Sequence, residues 1–186
     1  MGDRLRINDV SSKNKLSRVL WGFVWLALYR PSPTLLHGWR RFLLRLFGAK
    51  LASPVYVYPS ARVWAPWNLQ MGAHSTLAGN VDCYCVDKVV IGSFSTVSQY
   101  SYLCTATHDY TDAAIMSRPQ MPLLTAPIVL GDRVWITTDV FIGPGVTVGD
   151  GTVVLARSSV FQDLPEWIVA AGTPARFQKR RELRST

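Results

Sequence analysis

Between Leu130 and Pro165 the chain repeats itself every six residues. Cut as LGDRVW, ITTDVF, IGPGVT, VGDGTV, VLARSS and VFQDLP, each block opens on an aliphatic residue: Leu130, Ile136, Ile142, Val148, Val154 or Val160. No other phase does this six times running. A helix repeats about every 3.6 residues and a strand about every 2, so a period of six is an internal repeat and not a single element.

The physical solution is a parallel β-helix, in which each hexapeptide forms one short side and three sides close a coil of about eighteen residues. The aliphatic openers point inward and stack on those of neighbouring coils, burying a column that no single repeat could bury by itself. The fifth positions, Val134, Val140, Val146, Thr152, Ser158 and Leu164, are small or branched and suit the corners. Gly131, Gly143 and Gly149 are expected where a Cβ would crowd the corner or a positive φ is needed.

Composition narrows the partners. The 186 residues suit one domain with a small appendage. The net charge is +8, but residues 1–50 and 176–186 hold fifteen of the twenty Lys and Arg and only Asp3, Asp9 and Glu182, which leaves 51–175 mildly acidic. A nucleic-acid groove needs basic and aromatic residues interleaved on the folded body, so this distribution argues against nucleic acid as a partner. Cys83, Cys85 and Cys104 are odd in number and contain no CxxC pair, which reads as buried thiols in a reducing cytoplasm and not as a disulfide or a metal site.

In order, the chain divides into a helical preface (1–50), the repeat domain (51–175) and a basic tail (176–186). Residues 1–15 are polar and read as frayed or loosely docked. Leu16–Tyr29 reads as a helix whose apolar run from Val19 is too short for a hydrocarbon core that takes about 20 residues, and no cleavage pattern of a secretory signal follows it. Trp21, Phe23 and Trp25 lie among Lys13, Lys15, Arg18 and Arg30, which leaves two uses open: packing on the repeat or on another subunit, or contact with a membrane surface.

Pro31-Ser32-Pro33 breaks the chain, with Ser32 read as the next N-cap and Pro33 in the first turn. Leu35, Leu36, Trp39, Phe42, Leu43, Leu46 and Phe47 then recur at helical spacing, with Arg40, Arg41 and Arg45 on the other face and Gly48 as the stop. This helix is expected to cap the coil, whose open end otherwise exposes its column and unpaired backbone. Val57, Val63 and Leu69 begin the beat, which slips to Met71 and Leu77 and again to Ile91, Val97 and Leu103. Such insertions belong at corners. Trp64, Pro66 and Trp67 are too bulky to point inward and are expected to face a cap or a partner chain. Residues 109–127, with Met116, Pro119, Met121, Pro122 and Pro127, interrupt the beat altogether, and a long loop in a compact domain is usually functional.

TATHDYTD with His108 at the root of the loop, PIVLGDRVWI, FIGPGVTVGDGTVV and the closing AAGTPAR resemble, in order and spacing, the hexapeptide-repeat acetyltransferases that use acetyl-CoA. WRRFLLRLFGAK and PSARVWAPWNLQMG resemble the subgroup of colanic acid and other exopolysaccharide biosynthesis. The resemblance implies a left-handed β-helix, a homotrimer with sites between chains, and acetyl transfer from acetyl-CoA to a sugar or glycan-intermediate hydroxyl, with no metal. It places the protein in the cytoplasm, with the inner face of the membrane as the surface its preface could touch.

On this likeness His108 is the general base, since an imidazole can take a hydroxyl proton at neutral pH. The backbone at Thr138 lies beside the thioester, where a developing oxyanion needs a donor. Ala156 lines the pantetheine arm, Arg176 and Lys179 approach the CoA phosphates, and Trp135 forms a wall. Thr137 and Arg157 stand where the family often has Gly, which is expected to reshape the pantetheine path locally. Asp109 reads as a loop or His-orienting residue, and His37 and His74 as structural or exposed. Two other classes share such a coil. A carbonic-anhydrase-like enzyme would carry a second His five residues after the loop His, where this chain has Ala113; a non-catalytic trimeric scaffold would make no use of His108.

Overall fold

The six-residue beat builds a three-sided parallel solenoid. This computed structural model describes residues 4–7, 11–111 and 121–183, so Ala113, Met116 and Pro119 lie outside the described residues. A first face stacks Lys50–Leu51, Leu69–Met71, Val89–Ile91, Ile128–Leu130 and Thr147–Val148. A second stacks Tyr56–Val57, Thr76–Leu77, Thr96–Val97, Trp135–Ile136, Val153–Val154 and Ile168–Gly172, and Ala175–Arg180 folds back antiparallel on the last of these. The third stacks Arg62–Val63, Asp82–Tyr84, Tyr102–Cys104, Phe141–Ile142 and Ser159–Val160.

The aliphatic openers form the expected column. Leu130 lies beside Val148, Ile136 beside Val154 and Ile142 beside Val160, and none of the six is more than 1% exposed. The slips are corner insertions: Val57 pairs with Leu77 and Cys83 with Leu103, twenty residues apart, whereas the later pairs are eighteen apart. In both early coils the extra residues fall between the third and first faces, once as the 3₁₀ turn Pro66–Asn68. The long interruption leaves from this same corner, after Tyr102–Cys104 and before Ile128–Leu130.

Gly131 serves close approach and not an unusual φ, since a Cβ there would come within 2.1 Å of Asp150 Oδ1 and 3.0 Å of its amide nitrogen. Positive φ falls two residues later, at His74, Phe94, Arg133 and Gly151, so His74 is a corner residue, stacked on Phe94 at 4.8 Å.

The preface does cap the first coil, but with a face that is only partly the one its hydrophobic spacing suggested: Leu43 and Phe47 pack on the core, and Arg40 joins them. Helix α1 spans Ser12–Val24 with Ser11 as N-cap, a π-helical turn follows at Trp25–Tyr29, and α2 spans His37–Leu46. First-coil amides donate to the second coil, as Tyr56 does to Ser75 O and Arg62 to Val81 O, which leaves first-coil carbonyls with no coil beyond them. Side chains of the cap supply the donors. Trp21 reaches Val63 O (2.7 Å), Trp25 reaches Ala61 O (3.1 Å), Arg40 Nε reaches Val57 O (2.6 Å), Arg41 reaches Val55 O (2.9 Å) and Arg45 reaches Leu51 O (2.7 Å).

Arg40 is therefore wholly buried and does not lie on a solvent face, while Leu35, Trp39, Phe42 and Leu46 point outward. Ser32 does not cap α2, whose N-cap is Leu36; its hydroxyl donates to Tyr29 O and accepts from Arg40. Gly48, at φ +89°, ends the helix as expected and lies against Trp67.

Nor is the N-terminal segment loose where it is described. Arg6–Ile7 pairs antiparallel with Leu123–Thr125, and Arg4 binds the Asp163 carboxylate at 2.7 Å and the carbonyl of Gly145 at 2.9 Å. This pairing is long-range and leaves no periodic trace in four residues.

Candidate active site at the corner of the long loop

His108 ends the strand Ala106–His108, which leaves the coil at the insertion corner and pairs antiparallel with Leu123–Thr125, His108 opposite Leu123. Part of the interruption is thus a hairpin continued by Arg6–Ile7 into a three-stranded sheet. His108 Nδ1 lies 3.2 Å from the carbonyl of Met121. A carbonyl can only accept, so Nδ1 carries the hydrogen and Nε2 keeps its lone pair. Asp109 does not touch the ring: its carboxylate accepts from the amide and hydroxyl of Thr111, which hold it below its ordinary range.

His108 lines two cavities. One, of about 370 Å³, lies over the outer side of the third face and is walled by Arg62, Trp64, Asp82, Tyr84, Tyr102 and Thr107. The other, of about 330 Å³, is more apolar, with Leu5, Leu124, Phe141, Pro144 and Phe161 among its walls. Outward aromatics run along the third face as a ladder, Trp64 to Tyr84 (5.2 Å), Tyr84 to Tyr102 (6.4 Å), Tyr102 to Phe141 (5.7 Å) and Phe141 to Phe161 (5.5 Å). Burial lifts the Asp82 carboxyl above its ordinary range against the pull of Arg62. Burial, and then neighbouring Cys104, raises the Tyr102 hydroxyl.

Arg62, Asp82 and Tyr102 were missed in the sequence. They are register partners at intervals of twenty, each one residue before an inward position, and that alignment appears only once both slips are assigned to one corner.

The remaining candidates gather elsewhere. Thr138 and Ala156 occupy successive turns of the corner between the second and third faces, where Arg157 N donates to Thr138 O at 3.2 Å. Trp135 is half exposed on the second face, its indole donating to Ser98 Oγ. Arg176 reaches Gln162 from the closing hairpin (3.2 Å), and Lys179 lies opposite Val169 on the same hairpin. Thr137 hydrogen-bonds Val154 O, and Arg157 takes the left-handed conformation (φ 59°), which favours glycine, with its guanidinium turned toward Asp139. One corner precedes the third face and the other follows it, so a single chain separates His108 from Thr138 and Ala156.

The three thiols are free and buried. Among the described residues no group of three His, Cys, Asp or Glu side chains could hold a metal ion.

No family model matches the chain. It is 43% identical over 162 residues to the Escherichia coli (strain K12) protein assigned to colanic acid biosynthesis as acetyltransferase WcaF, covering 87% of this chain and 86% of that one. The chain is a hexapeptide-repeat acetyltransferase. Solved acetyltransferases share its left-handed β-helix. A maltose O-acetyltransferase from Clostridium difficile 630 superposes with a TM-score of 0.82 at 27% identity over 93% of this chain and 90% of that one. The hexapeptide-repeat acetyltransferase VCA0836 of Vibrio cholerae superposes at 0.79 and 27% over 92% and 94%. A second structure of that protein, complexed with acetyl-coenzyme A, matches at 0.72 and 24% over 95% and 93%. The acetyltransferase described here thus matches these proteins over nearly its whole length, helical cap included.

Proposed function

We propose that this acetyltransferase moves the acetyl group of acetyl-coenzyme A onto a sugar hydroxyl of a cell-surface glycan precursor, with His108 as the general base. The carrying observation is the hydrogen bond from His108 Nδ1–H to the Met121 carbonyl, which in the neutral ring puts the lone pair on Nε2, in a residue shared by two cavities. Nε2 takes the acceptor hydroxyl proton as that oxygen attacks the thioester carbonyl carbon. Collapse of the tetrahedral adduct breaks the C–S bond, and the departing thiolate takes the proton back from the imidazolium. A backbone N–H near Thr138 is the donor suited to the oxyanion.

The cavity over the third face fits a sugar: Trp64, Tyr84 and Tyr102 offer ring faces and edges, and Asp82 and Arg62 offer hydroxyl partners. Trp135, Thr138, Ala156, Arg176 and Lys179 are the donor side, with the two cations on the phosphates. Because the two sides lie on different corners, a second copy of the chain completes the site, and the assembly we infer is a homotrimer. A coenzyme A donor and three free thiols suit a reducing cytoplasm.

The test is a screen of nucleotide sugars and lipid-linked oligosaccharides for acetyl addition by mass, followed by His108→Ala. Losing a general base lowers the rate about a hundred- to ten-thousand-fold, and the variant should keep its affinity for coenzyme A. A variant that keeps more than half of the rate would remove His108 from the chemistry. Asp82→Asn should raise KM for the acceptor and leave KM for acetyl-CoA unchanged; the reverse split would move the sugar out of this groove.

A further inference from the structure

The cap spends its polar side chains on the solenoid's carbonyls and turns its apolar ones to the outside. On α1 the exposed residues form one stripe at helical spacing, Leu16 (72% exposed), Val19 (68%), Leu20 (59%) and Phe23 (77%), with Leu26 (63%) continuing into the π-helical turn. A second stripe runs from Leu35 (90%), in the turn ahead of α2, through Trp39 and Phe42 to Leu46 (68%) on the helix. The stripes adjoin where the Trp39 indole donates to Leu28 O, and Trp39 stacks on Phe42 at 5.8 Å. A contiguous apolar patch of this kind marks an interaction surface.

Charge selects the partner. Residues 11–50 hold eight Lys and Arg and no Asp or Glu; Arg40, Arg41 and Arg45 are turned to the solenoid's carbonyls, which leaves Lys13, Lys15, Arg18, Arg30 and Lys50. At about 3.6 residues per turn, Lys13 and Lys15 fall on opposite flanks of the α1 stripe. Two copies of this surface placed face to face would bring like charges together, which disfavours a second copy as the occupant. Among the described residues no helix is long and apolar enough to cross a membrane, whereas an apolar face bordered by Lys and Arg suits a helix lying in the interface. Between α1 and the first coil lies a cleft of about 500 Å³ lined by Arg18, Trp21, Trp25, Arg30, Arg62 and Trp64. The Arg18 guanidinium lies over Trp64 at 4.1 Å, and its buried Nε–H has no hydrogen-bond partner among the described residues. Arg62 and Trp64 also wall the groove beside His108, so this cleft and that groove share a wall, while Leu16, Val19, Leu20 and Phe23 line neither.

We propose that the outer face of α1 and α2 docks the protein on an anionic bilayer surface, with leucines and aromatics among the acyl chains and the cationic border at the phosphates. This surface is separate from the transfer chemistry, so the two readings fail independently.

The experiment is co-sedimentation of the full chain with vesicles of phosphatidylcholine alone or with 30% phosphatidylglycerol, at low and high salt. Wild type should bind the anionic vesicles at least tenfold more tightly than the neutral ones, and salt should erase most of the difference. Leu20→Ser with Phe23→Ser should weaken binding at least fivefold, and Lys13→Glu with Lys15→Glu should abolish the preference for anionic lipid. The melting temperature should stay unchanged in both, because all four side chains are exposed. Failure of wild type to sediment with anionic vesicles, or unchanged binding by both variants, overturns the proposal. So does a larger assembly in sedimentation velocity that the serine variant disperses, which would assign the face to a second copy.

Discussion

Arg40 is the residue whose burial most changes how the preface is understood. Its guanidinium donates to the carbonyls of Val57, Pro33 and Thr34 and to Ser32 Oγ, so one side chain satisfies the open solenoid end and the turn between the helices together. Arg40→Leu keeps the bulk but strands the carbonyls of Pro33 and Thr34, while Val57 O keeps its contact with His37 Nδ1, at about 1–3 kcal/mol for each buried acceptor left unpaired. Chemical denaturation should therefore show a loss of several kcal/mol, whereas Arg41→Leu, with one such bond, should lose about 1 kcal/mol. At the far end, burial raises the Asp163 carboxyl, but the hydrogen bond from Arg4 and that from Thr147 N outweigh it, and the net shift is downward. A lowered carboxyl contributes stability above its unfolded pKa of about 3.9 and loses it as pH falls through the folded value. Acidification below about pH 4 should thus free the Arg4 anchor, read as faster amide exchange along Arg6–Ile7 while the inward column stays protected.

At the scale of elements, the hexapeptide run could be read almost residue by residue, because stacking demands an apolar residue at each inward position and a six-residue beat admits one phase. Ile142→Asp would set a carboxylate between Leu103 and Val160, and thermal denaturation should reveal a loss of several kcal/mol as an order of magnitude. His108 was legible for another reason: it stands where the beat stops. Helix α2 was read with correct spacing and a face only partly right, since Leu43 and Phe47 do pack on the core but Leu35, Trp39, Phe42 and Leu46 do not, because hydrophobic periodicity reports that a helix has two sides and not which of them meets the core. The core side here is an array of carbonyls, and carbonyls call for Trp indoles and Arg guanidinium groups. The groove residues Arg62, Asp82 and Tyr102 were hidden for want of the twenty-residue register, and Arg6–Ile7 because a two-residue strand carries no pattern.

In the whole molecule, the separation of His108 from Thr138 and Ala156 makes a prediction about assembly. His108→Ala and Ala156→Trp should each be inactive, the second by blocking the donor path. Trimers reassembled from an equal mixture should recover about a quarter of the wild-type rate, the chance that a site draws its sound halves from opposite variants. No recovery would mean that one chain builds the whole site. The segment ahead of α1 adds a property of a different sort. A solenoid holds together through neighbouring coils, so its two ends can ordinarily fray without reference to each other. Here Arg4, held to Asp163 near one end, stands seven residues in sequence before Ser11, the N-cap of the helix that closes the other. Stacking joins the two ends through the coils and this short stretch of sequence joins them again, so the chain closes a loop between its ends. The strand that loop crosses on the way, Leu123–Thr125, is the one that pairs with the strand of His108.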